Sequence, residues 1–144
     1  MTQAGAPFHR RFLANPYVCV AFGSILGGVA RYGVALLVTA GAGFPWATLF
    51  VNVTGSFIIG LYATLSGSEG RIPASVQQRL FVMTGFCGGY TTFSAFSLET
   101  LMLVRAGMVR TALIYVVVSV AGWLLAVWVG HILAVRLNRR EVGQ

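Results

Sequence analysis

The sequence predicts an all-α membrane protein of four transmembrane helices, and three observations predict it. Hydrophobic residues make up 57% of the 144 residues and charged residues only 9%, whereas a soluble domain carries about 25% charge. Four apolar runs follow one another, each long enough to cross a hydrocarbon core of about 30 Å at about 1.5 Å per residue. The polar residues collect in short connections and in the tails. So little charge does not clothe a water-soluble surface, so the chain needs a low-dielectric solvent outside as well as inside. A single membrane domain, 1–144, accounts for the whole pattern, with no soluble domain, internal repeat or low-complexity segment.

The first span covers 17–39. His9, Arg10 and Arg11 precede it and imitate a secretory leader, but the run is too long and no small-x-small site ends it. It reads as the first membrane helix. Gly23-x-x-x-Gly27-Gly28 is a close-packing pattern. Gly41-Ala42-Gly43-Phe44-Pro45-Trp46 forms a turn, with the tryptophan suited to the membrane interface. The second span covers 47–65. A polar connection, 66–73, ends in Pro73, well placed near a helix start. The third span, 76–104, contains Gly85-Phe86-Cys87-Gly88-Gly89-Tyr90-Thr91-Thr92-Phe93-Ser94. Each central glycine costs about 1 kcal/mol against alanine, so an interruption is expected near Gly88 to Thr92, flanked by two half-helices. At membrane depth the freed backbone groups must meet protein, water or an ion. The fourth span covers 109–135, and the tail from 136 is polar.

The composition excludes several functions. Outside the tail the only acids are Glu69, in a connection, and Glu99, near the end of the third span and within reach of water. No carboxylate pair, Ser/His/acid set or Cys/His metal spacing exists, so an enzyme has almost nothing to work with. Cys19 and Cys87 lie in apolar spans and read as small hydrophobes. The net charge is +7, carried entirely by arginine. These arginines flank the spans as headgroup contacts and form no stripe with exposed aromatics, which argues against nucleic acid as a partner.

Neutral polar and aromatic residues remain within the spans. Asn52 and Ser56 share a face of the second span. The Asn52 amide suits either an anion or an interhelical clamp. Phe93 and Phe96, and likewise Ser94 and Ser97, are three apart on the third span. Ring edges are electropositive and suit a small anion, although such pairs also serve ordinary packing. The glycine-threonine break either offers carbonyl oxygens to a hard cation or is a kink whose carbonyls meet the hydroxyls of Thr91 and Thr92. Arg31 either snorkels to the interface or gathers anions at a pore mouth. Tyr115 and Ser119, four apart, either glue helices or extend a line of hydroxyls.

Together these motifs resemble the small bacterial fluoride channels known as Fluc or CrcB. The resemblance spans about 23–123 and rests on Gly27-Gly28-Val29-Ala30-Arg31-Tyr32 and on Ala47-Thr48-Leu49-Phe50-Val51-Asn52-Val53-Thr54-Gly55. Its most specific element is the long run from Gly85 to Thr100. It implies a multi-pass inner-membrane channel that passively exports fluoride and so reduces its toxicity. It implies a fluoride pore formed by Asn52, Phe93, Phe96, Ser97, Tyr115, Ser119 and Arg31. It also implies a structural sodium ion on the backbone carbonyls of Gly88 and Thr91, and an antiparallel dimer with two pores. Two residues depart from the pattern. Trp123 stands where the hydroxyl line would continue, and Tyr90 stands inside the break where a smaller aliphatic is common. A rival reading, a small four-helix drug/proton antiporter, requires an acid in the first span, which has none.

The flanking charges bear on assembly. Arg10, Arg11, Arg71, Arg79, Arg136, Arg139 and Arg140 flank one side of the predicted topology, and only Arg105 and Arg110 the other. The positive-inside rule assigns the seven to the cytoplasm. An antiparallel dimer then needs a minority of inverted copies or a related chain of opposite bias, unless the fold overrides the bias.

Overall fold

A computed structural model describes residues 15–38, 43–68 and 70–139. The expectations placed on Arg10, Arg11, Glu69, Arg140 and the start of the first connection lie outside them. The described residues are helical apart from their connections.

Helix α1 is Pro16–Leu37. Pro16 occupies its first turn, where a missing N–H costs nothing, and Asn15 caps it by accepting from the Tyr17 N–H at 2.9 Å. Helix α2 is Trp46–Leu65. Its C-terminal carbonyls meet a cation: Arg79 donates to the Ser66 carbonyl and, at 2.8 Å, to Ser66 Oγ. Helix α3 is composite. Val76–Arg79 opens it with a reciprocal capping box between Ser75 and Gln78. Wider π-helical turns follow in Leu80–Cys87, and Gly88–Tyr90 closes it. Thr91 and Thr92 are extended, with ψ of 160° and 117°. Helix α4 is Phe93–Arg105, capped by Thr92 Oγ1, which accepts from the Ala95 N–H. Gly107, at φ 76°, turns the chain in a conformation that favours glycine. Helix α5, Val109–Arg139, completes the described fold.

Helices α1, α2 and α5 are each long and apolar enough to cross a membrane. The most extensive pairings are α1 with α3 and α2 with α5, and both run parallel. In the first, Gly23 lies against Phe81 and Gly85, and Gly27 against Phe86 and Tyr90. A Cβ at Gly23 would collide with the Phe81 carbonyl oxygen, so the close-packing pattern permits backbone contact as in other small-residue helix interfaces. A Cβ at Gly28, its third member, would meet nothing within 4 Å. In the second pairing Gly60 touches Val127, and Thr64 Oγ1 bonds His131 Nδ1 at 2.8 Å. Asn138 extends the seam by donating Nδ2 to the Thr64 carbonyl at 3.4 Å, and holds the connection after α2 by accepting from the Arg71 N–H at 3.2 Å.

Helix α4 lies mainly on α5. The resulting core is small: Phe96, Leu103, Ala112 and Tyr115, covered by Phe44, Leu49, Val116 and Trp123. Large apolar side chains face outward along α1 and α5, among them Ile25, Val29, Leu36, Val117, Leu124 and Trp128. This inverts a soluble fold and suits a lipid environment. Cys19 and Cys87 form no disulfide.

Candidate functional site

The site is built around the two extended residues between α3 and α4. Asn52, buried on α2, treats Thr92 as a neighbouring strand would. Its amide Nδ2 donates to the Thr92 carbonyl at 2.9 Å, and its Oδ1 accepts from the Thr92 N–H at 2.7 Å. This is the interhelical clamp, and it engages one amide hydrogen and leaves the second for another acceptor.

The clamp has a consequence for the backbone. In an uninterrupted helix the Thr92 N–H would serve the Gly88 carbonyl four residues back; here it serves Asn52. Likewise the Ala95 N–H, due to the Thr91 carbonyl, serves Thr92 Oγ1 at 3.2 Å. The carbonyls of Gly88 and Thr91 therefore lose their helical donors to side chains. The Cys87 carbonyl is treated differently. It accepts from both the N–H and the hydroxyl of Thr91, each at 2.9 Å, so one threonine hydroxyl satisfies a carbonyl of the kink while the other caps α4. Arg31 reaches across from α1, its Nη1 lying 3.4 Å from the Thr91 carbonyl oxygen. That contact is long and weak, and it directs the first-span arginine toward the break.

Phe93 and Phe96 touch, with ring centroids 5.5 Å apart, but their surroundings differ. Phe93 is 70% exposed and Phe96 only 6%. Residues of α5 cover Phe96: Trp123 meets it edge-to-face at 4.9 Å and 75°, and Tyr115 lies 5.2 Å away. Ser97 is exposed, and its hydroxyl donates back to the Phe93 carbonyl at 3.0 Å, so the ring pair and this hydroxyl do not converge. A pocket of about 320 Å³ opens beside the break, lined by Asn52, Ser56, Gly88, Thr92, Phe93 and Trp123 among others.

Tyr115, Ser119 and Trp123 follow at four-residue intervals on one face of α5. Tyr115 and Ser119 are fully buried. The Tyr115 hydroxyl is committed: it donates to Glu99 Oε2 at 2.7 Å, while Thr48 donates to Glu99 Oε1 at 2.7 Å. Glu99 is thus held at both oxygens by hydroxyls from α2 and α5. This triad is the part of the site that sequence reasoning missed, because its members come from three helices and share no spacing. One signal was available: an acid inside an apolar span is expensive and marks function by default. Among the described residues, Ser119 Oγ and Trp123 Nε1 are buried with no hydrogen-bond partner.

Taken as chemistry, the site offers neutral donors, ring edges and carbonyls relieved of their helical donors, with the Arg31 guanidinium in long contact with one of them. Among the described residues no group of three or more His, Cys, Asp or Glu could hold a metal ion. Its neutral donors and ring edges can replace the hydration of a small ion without binding it as tightly as a full charge would.

Comparisons with known proteins agree in kind. Residues 18–131 match the family model described as CrcB-like protein, Camphor Resistance (CrcB). A protein of Rhodopseudomonas palustris named fluoride-specific ion channel FluC 1 is 62% identical over 125 residues, covering 85% of this chain and 89% of the relative. A FluC 1 of Bradyrhizobium diazoefficiens is 60% identical over 123 residues, 85% and 87% of the two chains. The FluC of Methylocella silvestris is 49% identical over 127 residues, 87% and 97% of the two chains. With the match running from α1 through most of α5, the chain is a member of the CrcB family.

Proposed function

We propose that this chain is a fluoride-specific channel of the bacterial inner membrane that lets fluoride leave the cytoplasm passively and so limits its toxicity. The observation that carries the reading is the Ser119 hydroxyl, fully buried with no hydrogen-bond partner among the described residues, one turn from Tyr115 on the face that packs against Phe96. A buried donor left unsatisfied costs about 1–3 kcal/mol. Fluoride, a small anion that accepts hydrogen bonds strongly, is a fitting occupant, and it is the ion in the names of the relatives. Hydrogen fluoride enters across lipid from an acidic exterior and dissociates inside. The membrane potential then drives the anion out, with no nucleotide or proton relay required.

The parallel pairings support treating α3, the Thr91-Thr92 break and α4 as one third span. Helix α3 runs with α1, and α5 with α2, so a single crossing separates them. The carbonyls of Gly88 and Thr91, relieved of their helical donors, suit a structural sodium ion. Two carbonyls leave a hard cation short of ligands, which a second copy of α3 would complete. The apolar face and this half-site fit an antiparallel dimer, either of two identical chains or with a related chain. The antiporter reading gains nothing here: α1 carries no acid, and Glu99 accepts hydroxyls at both oxygens.

Purified protein in liposomes should release fluoride when a potassium ionophore balances the charge, and should barely release chloride. Comparable chloride release would overturn the fluoride-specific reading.

A further inference from the structure

Tyr90 is the residue of the break that the reading above does not absorb. It is the last residue of α3, and it is buried. Its ring stacks on Phe86, four residues back, with centroids 5.7 Å apart and planes at 10°. Its hydroxyl lies 3.0 Å from Thr54 Oγ1 on α2. The roles in that contact follow from Thr54. The one hydrogen of the Thr54 hydroxyl serves the Phe50 carbonyl at 2.7 Å, so its oxygen accepts from the Tyr90 O–H. Filling the space would need only an apolar side chain. The phenol adds a directed link from the end of α3 to α2.

Three consecutive residues of the break bear on α2. Tyr90 bonds Thr54, Thr92 bonds Asn52, and Thr91 lies against Gly55, where a Cβ would collide with Thr91 Cγ2. The Thr91 carbonyl and the Thr92 N–H belong to one planar peptide unit. Asn52 Oδ1 holds that N–H at 2.7 Å and so fixes the tilt of the plane. The carbonyl, on the opposite side of the plane, points away from Asn52 and toward Arg31. A bond at one point leaves the plane free to shift along α2 with the end of α3. Tyr90, just before it, supplies a second anchor on the same helix. We propose that Tyr90 is a positioning residue of this channel: its hydroxyl, held by Thr54, sets where the Thr91 carbonyl sits and so tunes the sodium affinity of the break. The inference rests on the sodium half-site proposed above and adds to it a residue that touches no ion. Oxygen ligands hold a hard cation over a narrow range of distances, so a displaced carbonyl binds it less well.

Tyr90→Phe removes the hydroxyl and keeps the stack on Phe86. Thr54→Val removes the acceptor at nearly the same shape, whereas Thr54→Ser keeps it. The purified full-length protein is melted across a sodium series, with a bulky organic cation holding the ionic strength constant. A bound ion stabilises only once its concentration passes its dissociation constant, so the onset of the rise in melting temperature reads affinity apart from overall stability. The onset should move to about fivefold higher sodium in Tyr90→Phe and in Thr54→Val, the factor of one lost hydrogen bond. It should move no further when the two are combined, and Thr54→Ser should keep the unmodified onset. A tyrosine that only packs would lower the melting temperature equally at every sodium concentration. That uniform loss, or no change at all, overturns the proposal. If the melting of the unmodified protein ignores sodium, the sodium reading itself fails and the proposal falls with it, a result distinct from the two above.

Discussion

Replacing Asn52 by aspartate tests the clamp and the pore together. The amide Nδ2 now donates to the Thr92 carbonyl at 2.9 Å. In Asn52→Asp a carboxylate oxygen takes its place and confronts the carbonyl oxygen at about that separation, so an attraction becomes a repulsion. The Thr92 N–H keeps its acceptor. A buried carboxylate without a cation partner destabilises by about 3–5 kcal/mol, which should appear as a lowered melting temperature in detergent. Conduction should suffer further. An anion about 5 Å from the new charge is repelled by about 3 kcal/mol at an effective dielectric of about 20, or about a hundredfold in rate. Asn52→Leu separates the two effects, because it removes both hydrogen bonds to Thr92 without adding charge. Flux is read as fluoride release from liposomes, normalised to folded protein. Asn52→Asp conducting within a few-fold of the unmodified channel, or no worse than Asn52→Leu, would refute the placement of Asn52 beside the ion path.

Replacing Phe93 or Phe96 by isoleucine keeps apolar bulk and removes the ring quadrupole. Flux should fall strongly for both, while the melting temperature should fall appreciably only for the buried Phe96; flux surviving both changes would make the rings mere packing. Exchanging sodium for a bulky organic cation should lower the melting temperature if the Gly88 and Thr91 carbonyls hold sodium, and a crystal grown in sodium with a closed, empty axis between two α3 helices would count against that site. A cysteine placed in the tail and labelled in whole cells should report unequal inside and outside populations when this chain is expressed alone, given the arginine bias. Equal labelling would remove the case for a dedicated partner of opposite orientation.

How legible the site was varied with the distance over which its residues interact. The close-packing glycines were readable because a small-residue pattern acts at contact range between two helices, and Gly23 and Gly27 lie where their backbones touch α3. Phe93 and Phe96 were readable as one face, since three residues set that angle on any helix. Their unequal exposure was not, because Tyr115 and Trp123, distant in sequence, pack closely on Phe96, whereas Phe93 meets only the Trp123 edge at 6.5 Å.

Long apolar helices and a weak helix between Gly88 and Thr92 follow from the sequence by itself, because hydropathy, length and glycine propensity are properties of contiguous residues. The tertiary structure alone decided that the extended residues are Thr91 and Thr92. Asn52 of another helix captures the Thr92 N–H, and Thr92 Oγ1 captures the Ala95 N–H; each supplies the alternative partner that lets a backbone leave the helix. It alone decided that Glu99 meets Thr48 and Tyr115. It also decided that the Ser119 and Trp123 donors are buried with no hydrogen-bond partner among the described residues. Hydrogen bonding is short-ranged and directional, so which distant groups meet is set only when the helices pack.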